Sequence, residues 1–398
     1  MANSINDNYS INELLVNKNY TNPEHLYIHI PFCKKRCPYC SFYSTIYDNN
    51  DNTKDLFISA LLKEIKLKDF LIAKNIRTIY LGGGTPSLLT SKDLEQIFNV
   101  VLKNHTLDDD IEITIEANPD DITKDLVSEW KNLGINRVSL GVENILEKHL
   151  KFLGREHTAS NIRNAINIIS KQGINNLSVD FIIGLPDETI DDLKENFKLL
   201  INNDIPHFST YLLTIEEKTR LAKLIKNNPK LMLDDDKIIN NTLQWYQWAS
   251  ENGYHHYEIS NFSLPNYKSK HNLAYWIQKN YIGFGPSAHS YINPVRFWNV
   301  TSLKKYLIGL ENNSLEYDYE IINKNEAYNE YVMTRLRLKE GIYFDDLKNK
   351  FGPKRAQYFA NQACKISQKY LHKDQNRYYL TERGWLIMDK ILVELFII

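Results

Sequence analysis

The stretch His-Leu-Tyr-Ile-His-Ile-Pro-Phe-Cys-Lys-Lys-Arg-Cys-Pro-Tyr-Cys, residues 25–40, decides the fold. It contains three of the four cysteines of the chain, Cys33, Cys37 and Cys40, within eight residues. A short apolar run with the composition of a β-strand precedes them, so that one loop carries all three thiols. This arrangement predicts that the three thiolates converge on one metal centre.

The number of cysteines narrows the kind of metal centre. A structural zinc site closes its tetrahedron with four protein ligands. Three cysteines can instead hold three irons of a [4Fe–4S] cluster and leave the fourth iron open to a cofactor. The spacing therefore favours an iron–sulfur cluster, with zinc or an unliganded thiol loop as alternatives. A disulfide is disfavoured, because the start of the chain does not resemble a secretory signal.

The composition is that of an ordinary globular protein, with 43% hydrophobic and 24% charged residues. A length of 398 residues predicts one large domain and a smaller one. The formal net charge of -1 gives no electrostatic reason to expect nucleic acid as a partner. No apolar run approaches the roughly 20 residues of a transmembrane helix. The apolar end at 391–398 favours a packed terminal element over a peripheral membrane contact, and we expect a cytoplasmic protein.

Strand-like and helix-like runs alternate along the first part of the chain. The predicted strands are residues 26–30, 76–81, 111–116, 137–140, 177–183 and 208–213. Between them, apolar residues recur every three or four positions, as at Leu94, Ile97 and Val101, which is the period of a helix face. This alternation predicts an α/β fold whose parallel sheet curls into a full or partial barrel.

The candidate functional residues lie where predicted strands end. In a barrel of parallel strands, the working residues occupy the carboxyl ends of the strands and the loops that follow. The three cysteines follow the first strand, and the string Gly-Gly-Gly-Thr-Pro at 82–86 follows the second. Glu116 ends the third strand, Glu143 follows the fourth, and Asp180 lies in the fifth. We therefore expect these residues to face one mouth of the barrel.

The chemistry of these residues suggests a ligand site. The glycine string exposes backbone N–H and C=O groups, but it lacks the pattern of a P-loop, so a plain tight turn is an equal alternative. Glu116 and Asp180 are acids whose burial is costly unless they bind a partner such as ribose hydroxyls or an ammonium group. Arg155 is a candidate for bidentate pairing with a carboxylate. A structural salt bridge is an alternative for each of these three residues.

A second candidate site begins at His271, in the string His-Asn-Leu-Ala-Tyr-Trp. Histidine is a common axial ligand of haem iron, and the neighbouring aromatic residues suit a porphyrin plane. Without further context, a histidine among aromatic residues is more often a core or surface residue. The fourth cysteine, Cys364, is isolated in a helical run and is predicted to be a buried apolar residue.

The motifs resemble those of radical S-adenosylmethionine (SAM) enzymes. The common features are the spacing Cys-x-x-x-Cys-x-x-Cys, an aromatic residue before the last cysteine, and the string Gly-Gly-Gly-Thr-Pro. Longer strings resemble the family of the oxygen-independent coproporphyrinogen III dehydrogenase HemN, and within it the haem-chaperone branch HemW. They are Tyr-Ile-His-Ile-Pro-Phe-Cys, Arg-Val-Ser-Leu-Gly-Val-Glu, Val-Asp-Phe-Ile-Ile-Gly-Leu-Pro, Tyr-Glu-Ile-Ser-Asn-Phe and His-Asn-Leu-Ala-Tyr-Trp.

The resemblance implies a partial (β/α)6 TIM-like radical SAM barrel with a C-terminal winged-helix-like domain of α+β type. The expected segments are a polar tail at 1–23, the barrel at 24–232, a HemN-like extension with the His271 string at 233–320, and the C-terminal domain at 321–398.

The resemblance also implies cofactors and the residues that bind them. Cys33, Cys37 and Cys40 would hold a [4Fe–4S] cluster whose open iron takes the amino and carboxylate groups of SAM. An electron from the cluster then cleaves SAM to methionine and a 5′-deoxyadenosyl radical. The residues implied in cofactor binding are Tyr27, Tyr39, Gly83, Gly84, Thr85, Glu116, Glu143, Arg155, Asp180 and, for haem, His271.

Three departures from the dehydrogenase pattern favour the chaperone branch or affect SAM binding. Phe42 stands where the dehydrogenase has a further cysteine, and the segment before the first strand is short. Glu143 stands where the family usually has glutamine, which puts that SAM contact in doubt.

The function implied is that of a haem chaperone, which binds the cluster, SAM and haem and transfers haem to respiratory haem proteins. An electron donor such as flavodoxin or ferredoxin would reduce the cluster. Two alternatives stay open. One is a SAM-cleaving oxidoreductase that decarboxylates coproporphyrinogen III to protoporphyrinogen IX. The other is a degenerate member that uses its cluster only structurally, so the sequence leaves open whether the protein is an enzyme.

Overall fold

The computed structural model describes residues 15, 20–48, 50–231 and 234–398. The predicted tail at 1–23 lies mostly outside the described residues, and so does the predicted boundary at 232 and 233. Within the described ranges, no helix is long and apolar enough to cross a membrane.

The strands are numbered in chain order. They are β1 (His25–Ile30), β2 (Phe32–Cys33), β3 (Thr45–Ile46), β4 (Asn75–Gly83), β5 (Thr106–Ala117), β6 (Arg137–Glu143), β7 (Asn176–Ile183), β8 (His207–Leu212), β9 (His255–Glu258), β10 (Asn261–Ser263), β11 (Tyr281–Phe284), β12 (His289–Ile292), β13 (Val295–Asn299), β14 (Tyr317–Ile321), β15 (Ile342–Tyr343), β16 (Leu371–Asp374) and β17 (Arg377–Leu380).

The α-helices are numbered in the same way. They are α1 (Thr53–Lys68), α2 (Ser91–Leu102), α3 (Lys124–Asn132), α4 (Glu147–Phe152), α5 (Ala159–Lys171), α6 (Ile190–Asn202), α7 (Arg220–Asn227), α8 (Asp235–Glu251), α9 (Lys270–Trp276), α10 (Leu303–Glu311), α11 (Lys324–Arg335), α12 (Phe344–Phe351), α13 (Pro353–Ala363), α14 (Glu382–Trp385) and α15 (Met388–Leu395). Short 3₁₀ turns are Asp69–Leu71, Pro86–Leu88, Pro119–Asp121 and Pro229–Leu231.

The chain divides into two units, each assembled from separate segments. The segments of the first unit are the chain up to Phe181, Leu213–Lys230 and Lys279–Ile321. Those of the second unit are Ile182–Leu212, Leu231–Gln278 and Ile322–Ile398. The domain limits expected from the sequence stay predictions.

The first unit is built on a sheet with the strand order β14-β13-β12-β11-β1-β4-β5-β6-β7. Strands β1, β4, β5, β6 and β7 run parallel, as predicted for the first five strands of the barrel. On the other side of β1 lies β11, also parallel, with Leu26 opposite Ile282. Strands β12, β13 and β14 continue the sheet antiparallel. This extension beyond β1 was not predicted from the sequence.

Each parallel strand has a row of buried apolar residues at alternate positions. In β1, Leu26, Ile28 and Ile30 are fully buried, which is typical of parallel strands. The predicted helix stripe is confirmed in α2, where Leu94 and Ile97 are fully buried. The helices of this unit thus bury one face on the sheet and leave the strand ends free for other contacts.

Helix ends follow the local sequence. The capping box predicted at Thr189 and Asp192 is present at the start of α6, and Thr158 forms another at α5. Gly134 and Gly173, predicted to end helices, have φ angles of 88° and 78°. These left-handed conformations suit glycine and stop the helix one turn before the next strand.

A buried polar cluster holds the antiparallel extension to helix α1. The carboxylate of Glu64 accepts hydrogen bonds from Lys68 Nζ at 2.6 Å, Asn299 Nδ2 at 2.7 Å and Tyr306 Oη at 2.6 Å. Its second oxygen also accepts from the backbone N–H of Gly285 at 2.8 Å. Because each polar group in the cluster has a partner, burial of these charges is compensated.

The second unit contains an antiparallel sheet of β8, β10 and β9. Strand β8 is the sixth strand predicted from the sequence. The rings of Phe208 and Phe262 stack at 4.7 Å across the sheet, and Trp245 of α8 packs edge-on to Phe208. Trp245 Nε1 donates to Thr210 Oγ1 at 2.9 Å, so the indole is satisfied although it is buried.

The end of the chain forms a small apolar core around the sheet β15-β17-β16. Strand β17 is the strand predicted at 377–380, and the hairpin of β16 and β17 beside α12 and α13 has the features of a winged helix. Ile391 and Leu395 are buried, which confirms the packed terminal element. Cys364 is exposed, so its prediction as a buried residue was wrong. It directly follows α13, and its thiol donates to the Asn361 carbonyl at 3.1 Å.

Candidate functional site

The thiol loop, residues 33–40, follows β1 in the first unit and is held at several points. Strands β2 and β3 pair in parallel, with Cys33 opposite Ile46. Inside the loop, the Cys40 N–H donates to the Cys37 carbonyl at 3.2 Å. The carbonyl of Pro38 accepts from the N–H of Leu221 at 2.9 Å. The loop is therefore fixed by backbone contacts on both sides of its middle cysteine.

The three thiols are half-buried, so that they are sheltered but reachable. Burial raises the pKa of Cys37 and of Cys40. The charge of Cys33 adds to the rise at both thiols, and that of Cys37 adds to it at Cys40. Metal binding requires the thiolate, so a bound metal would have to stabilise the charged form against this burial. In the described part of the chain, no group of three or more His, Cys, Asp or Glu side chains is placed so as to hold a metal ion. The ligand set stays a prediction from the spacing.

Two lysines between the cysteines connect the thiol loop to neighbouring segments. Lys34 pairs with Asp121, and Lys35 Nζ lies 2.9 Å from Glu156 Oε1. The Lys35–Glu156 pair is exposed and adds little stability by itself. Asp121 is held in turn by Ser87 Oγ at 2.7 Å. These pairs neutralise much of the positive charge in the string Cys-Lys-Lys-Arg-Cys.

The glycine string after β4 requires glycine for steric reasons. The Gly84 N–H donates to the Ile30 carbonyl at 2.7 Å. A Cβ at Gly84 would lie 2.5 Å from the Phe32 carbonyl oxygen and 2.7 Å from that of Ile30, which are backbone atoms that cannot move aside. Gly83 has a φ of 111°, and a Cβ there would lie 2.4 Å from the His29 ring. The string therefore packs directly on the strand that carries the thiol loop.

Glu116 binds the glycine string from the neighbouring strand β5. Its carboxylate accepts from Tyr80 Oη at 2.8 Å and from the Gly83 N–H at 2.9 Å. Burial raises the pKa of Glu116 to about 7, and these two hydrogen bonds oppose the rise while Asp180 adds to it. Glu116 is therefore poised to change its protonation near neutral pH.

Asp180 and Tyr27 lie on either side of this group. Asp180 accepts from Ser139 Oγ at 3.0 Å. Tyr27 Oη lies 2.9 Å from His29 Nδ1, and its ring stacks on Tyr80 at 6.2 Å. Burial raises the pKa of Tyr27 and lowers that of His29, so both are neutral at pH 7. The predicted residues of β1, β4, β5 and β7 thus form one neighbourhood.

Glu143 and Arg155 form a second group beside the thiol loop. Glu143 ends β6 with a φ of 61°, where the pairing with β7 shifts register after Gly141. Left-handed backbone at a residue other than glycine costs on the order of 1–3 kcal/mol. The bulge directs the Glu143 carboxylate toward the Arg155 guanidinium, and the two side chains form an ion pair. Burial alone would lower the pKa of Arg155, but Glu143, Tyr39 and Cys37 together hold that pKa above its usual value.

The charges of this pair reach the thiol loop. Besides burial, Arg155 lowers and Glu143 raises the pKa of Cys37. Tyr39, whose side chain hydrogen-bonds Cys37, has a pKa raised by burial first and by Glu143 second. A Cβ on Gly154 would lie 2.7 Å from Pro38 Cδ, which shows how closely the segment before Arg155 packs on the loop.

Asn118 joins the two groups. Its side-chain oxygen accepts from Arg155 Nη1 at 2.8 Å, and its Nδ2 lies 3.5 Å from Thr85 Oγ1. Arg155 Nε is buried and has no hydrogen-bond partner among the described residues. A donor left in this way suits an incoming carboxylate.

The structure thus brings together the predicted residues of the first unit and adds three that the sequence analysis missed. These are His29, Tyr80 and Asn118. The signal for the first two was strand parity, because His29 follows Tyr27 by two positions and Tyr80 precedes Gly82 by two. Asn118 comes two residues after Glu116, directly past a strand end.

His271 lies in the second unit, near the start of helix α9. It is 1% exposed, and its Nε2 lies 2.9 Å from Tyr275 Oη on the next turn of the helix. The two rings meet edge to face at 4.9 Å. The imidazole nitrogen that would bind iron is therefore engaged by a protein group.

A buried acid lies in the string Tyr-Glu-Ile-Ser-Asn-Phe of the second unit. Glu258 is fully buried and pairs with the Asn261 side chain. Burial raises the pKa of Glu258 to about 7, and hydrogen bonds from Asn261 and the Ser260 backbone oppose the rise. The string folds as β9 and β10, and its polar side chains Glu258 and Asn261 hydrogen-bond to each other within this sheet.

Parallel strands with a three-cysteine loop after the first strand are the arrangement of a radical SAM protein. The model of the Radical SAM superfamily matches residues 27–200, and that of the HemN C-terminal domain matches residues 322–387. The solved structure of coproporphyrinogen III oxidase (HemN) from Escherichia coli superimposes with a TM-score of 0.82 over 94% of this chain and 90% of that chain, at 20% identity. This likeness confirms the predicted fold class: α/β, with a partial radical SAM barrel and a C-terminal domain.

Relatives across nearly the whole length narrow the class. The heme chaperone HemW of Lactococcus lactis is 30% identical over 370 residues, covering 93% of this chain and 96% of the relative. That of Haemophilus influenzae is 31% identical over 387 residues, covering 94% and 98%. The chain belongs to the HemW family of heme chaperones.

Proposed function

We propose that this protein binds a [4Fe–4S] cluster, SAM and haem, and that it transfers haem to respiratory haem proteins. The observation that carries the proposal is the similarity to heme chaperones over nearly the full length of both chains. The neighbourhood around the thiol loop gives it a physical basis, because the residues expected to bind the cluster and SAM lie together in the first unit.

The cluster would be held by Cys33, Cys37 and Cys40, which are half-buried on a loop with a fixed backbone. Three thiolates leave one iron of a [4Fe–4S] cluster without a protein ligand. When bound, the cluster and SAM would supply reductive chemistry that the side chains cannot provide.

SAM would lie against the strand ends beside that loop. The Gly83 and Gly84 backbone is held in place by Glu116 and by β1, which fixes the surface on which the ligand rests. Arg155 offers the buried Nε donor to a carboxylate. Tyr27, Tyr39, Thr85, Glu143 and Asp180 complete the proposed site.

Haem would be bound through His271. Because His271 is buried and its Nε2 is bonded to Tyr275, iron binding requires that the hydroxyl of Tyr275 give way. Phe42, which is 68% exposed after the thiol loop, replaces the further cysteine of the dehydrogenase pattern and favours the chaperone over that enzyme.

The test is an anaerobic assay of the reconstituted, reduced protein with SAM, run in parallel with coproporphyrinogen III and with haem. We expect stoichiometric haem binding, delivery of that haem to an apocytochrome of a respiratory complex, and no decarboxylated porphyrin. Formation of protoporphyrinogen IX would instead make the protein a dehydrogenase.

The haem ligand is tested separately. The variant His271→Ala should change the Soret band of the bound haem, because the axial ligand is lost. The exposed His255, also in the second unit, provides the matched control His255→Ala, which should leave the band unchanged. An unchanged band in His271→Ala would remove that residue from the proposed site.

A further inference from the structure

The Glu143–Arg155 ion pair lies against the middle of the thiol loop. Arg155 follows Gly154, whose Cα packs so closely on Pro38 that an added Cβ would lie 2.7 Å from Pro38 Cδ. Pro38 directly follows Cys37, one of the three proposed cluster ligands, so the residue before Arg155 packs beside that ligand. An unpaired charge on either residue would act electrostatically on a metal centre bound by the thiols.

We propose that Glu143 neutralises the Arg155 guanidinium beside the thiol loop and thereby keeps the reduction potential of the bound cluster low. This inference rests on the proposed function, since it requires that the three cysteines hold a [4Fe–4S] cluster. Reduction adds one electron, and hence one negative charge, to the cluster. An uncompensated guanidinium nearby would favour that reduced form, and the paired carboxylate removes the effect.

The backbone is shaped for this pair. Glu143 has a left-handed φ of 61° at a register shift in the pairing of β6 with β7. A Cβ on Gly141 would lie 3.2 Å from Arg155 Nη2 and 3.3 Å from Glu143 Oε1, so glycine leaves room for the contact. The fold therefore builds the pair with a conformation that most residues avoid.

The pair is also sheltered from solvent. The side chains of Arg155 and Glu143 are 15% and 10% exposed, so salt screens their charges only weakly. Their charges would therefore act with little screening on the electron of a reduced cluster.

The experiment is a double-mutant cycle on the full-length, reconstituted protein. Reduction potentials are measured by titration with dithionite and mediator dyes, with the electron paramagnetic resonance signal of the reduced cluster as the readout. We expect Glu143→Gln to shift the potential to more positive values and Arg155→Gln to shift it to more negative values. The double variant should return close to the wild-type value, because both charges are gone.

Glu156→Gln is the matched control, since it makes the same change of charge one residue from Arg155. The side chain of Glu156 is 69% exposed and pairs with Lys35 of the thiol loop at 2.9 Å. Solvent screens this charge, so its removal should shift the potential less than Glu143→Gln does. Equal shifts in the two variants would overturn the inference, because any nearby carboxylate would then have the same effect.

The outcomes separate the inference from the proposed function. A wild-type protein that takes up no cluster would overturn both. A Glu143→Gln protein with an intact cluster and an unchanged potential would overturn the inference and leave the proposed function standing. If Glu143→Gln does not retain its cluster, Arg155→Gln tests the same pair with the opposite sign, and an unchanged potential there would also overturn the inference.

Discussion

The thiol loop of the first unit and helix α9 of the second unit carry their proposed ligands in opposite ways. The thiols of Cys33, Cys37 and Cys40 are half-buried on an irregular loop whose backbone is pinned by its neighbours. His271 lies on a helix, is 1% exposed, and has Tyr275 as partner for its ring nitrogen. The cysteine thiols are accessible before any ligand binds. The imidazole nitrogen of His271 must first lose its hydrogen bond to Tyr275.

The two regions differ in how much free energy the protein must spend on rearrangement when the proposed ligand binds. The backbone of the thiol loop is already fixed, so a ligand meets donors in place and loses little free energy to rearrangement. Iron binding by His271 would first break a hydrogen bond and open a buried position. A carrier that must later release its haem gains from the second arrangement, because the protein group can return to its place.

The largest expected effect comes from removing one thiol. Since three cysteines are the minimum for the proposed cluster, Cys37→Ala should abolish the brown absorbance of the reconstituted protein. The matched control is Cys364→Ala, because Cys364 is exposed and lies in the second unit. A cluster that survives in Cys37→Ala, or is lost in Cys364→Ala, would break the assignment of the ligands.

The rigidity of the first region is tested at the glycine string. In Gly84→Ala, the new Cβ would lie 2.5 Å from the Phe32 carbonyl oxygen, so the backbone must shift. We expect a loss of about 2–3 kcal/mol in the free energy of unfolding, measured by urea denaturation, and weaker SAM binding in calorimetry.

The control for this prediction is Gly134→Ala. Its φ of 88° is unsuited to alanine, but its Cβ would meet only Ile113 Cδ1 at 3.8 Å, so the cost there is backbone strain without the steric clash expected at Gly84. This variant should lose about 1 kcal/mol, from backbone strain alone, and keep its affinity for SAM. A Gly84→Ala protein as stable as Gly134→Ala would show that the glycine string is less tightly packed than its contacts imply.

Glu116 predicts how the stability of the site depends on pH. Its pKa is raised by burial from 4.5 to about 7, so the stability that its protonated form contributes is full below pH 4.5 and is lost as the pH rises through 7. Between pH 5.5 and 8 the loss amounts to about 2 kcal/mol. The variant Glu116→Gln should remove this part of the pH dependence in urea denaturation.

Glu258 of the second unit is the matched control for Glu116, since burial also raises its pKa to about 7. Glu258→Gln should remove a similar pH dependence of stability but leave SAM affinity unchanged, whereas Glu116→Gln should weaken SAM binding. An equal effect of both variants on SAM would show that Glu116 acts on the fold and has no contact with the ligand.

The smallest expected effect sharpens the comparison at helix α9. Tyr275→Phe removes the hydroxyl that occupies His271 Nε2 while keeping the ring. Haem should bind about fivefold more tightly, because a hydrogen bond worth about 1 kcal/mol no longer competes with the iron. Titration of the Soret band measures this affinity. Weaker binding in Tyr275→Phe would mean that the hydroxyl supports the haem site.

What the sequence could predict were features set by local spacing. The thiol loop after β1, the position of Glu116 and the helix stripe with Leu94 all follow from short patterns, and the structure has each element where it was expected. Glycine at position 84 was noted, but its steric need depends on the Phe32 carbonyl and could not be read from spacing.

Contacts between distant segments could not be predicted. Asn118 reaches Arg155 only because β5 and β6 lie side by side in a particular register. His29 meets Gly83, where a Cβ would lie 2.4 Å from its ring, only because β1 and β4 pair. The burial predicted for Cys364 was wrong, because helical periodicity does not show which residues cover the end of a helix.

The place of β11 in the sheet has a consequence for how the protein is made. Strand β1 lies between β4, which follows it within about fifty residues, and β11, which begins only at Tyr281. During synthesis, the edge of β1 that pairs with β11 therefore stays bare until most of the chain has emerged. We expect folding of the first unit to be slow, and the strand that leads into the thiol loop to be the part of the nascent chain most in need of protection.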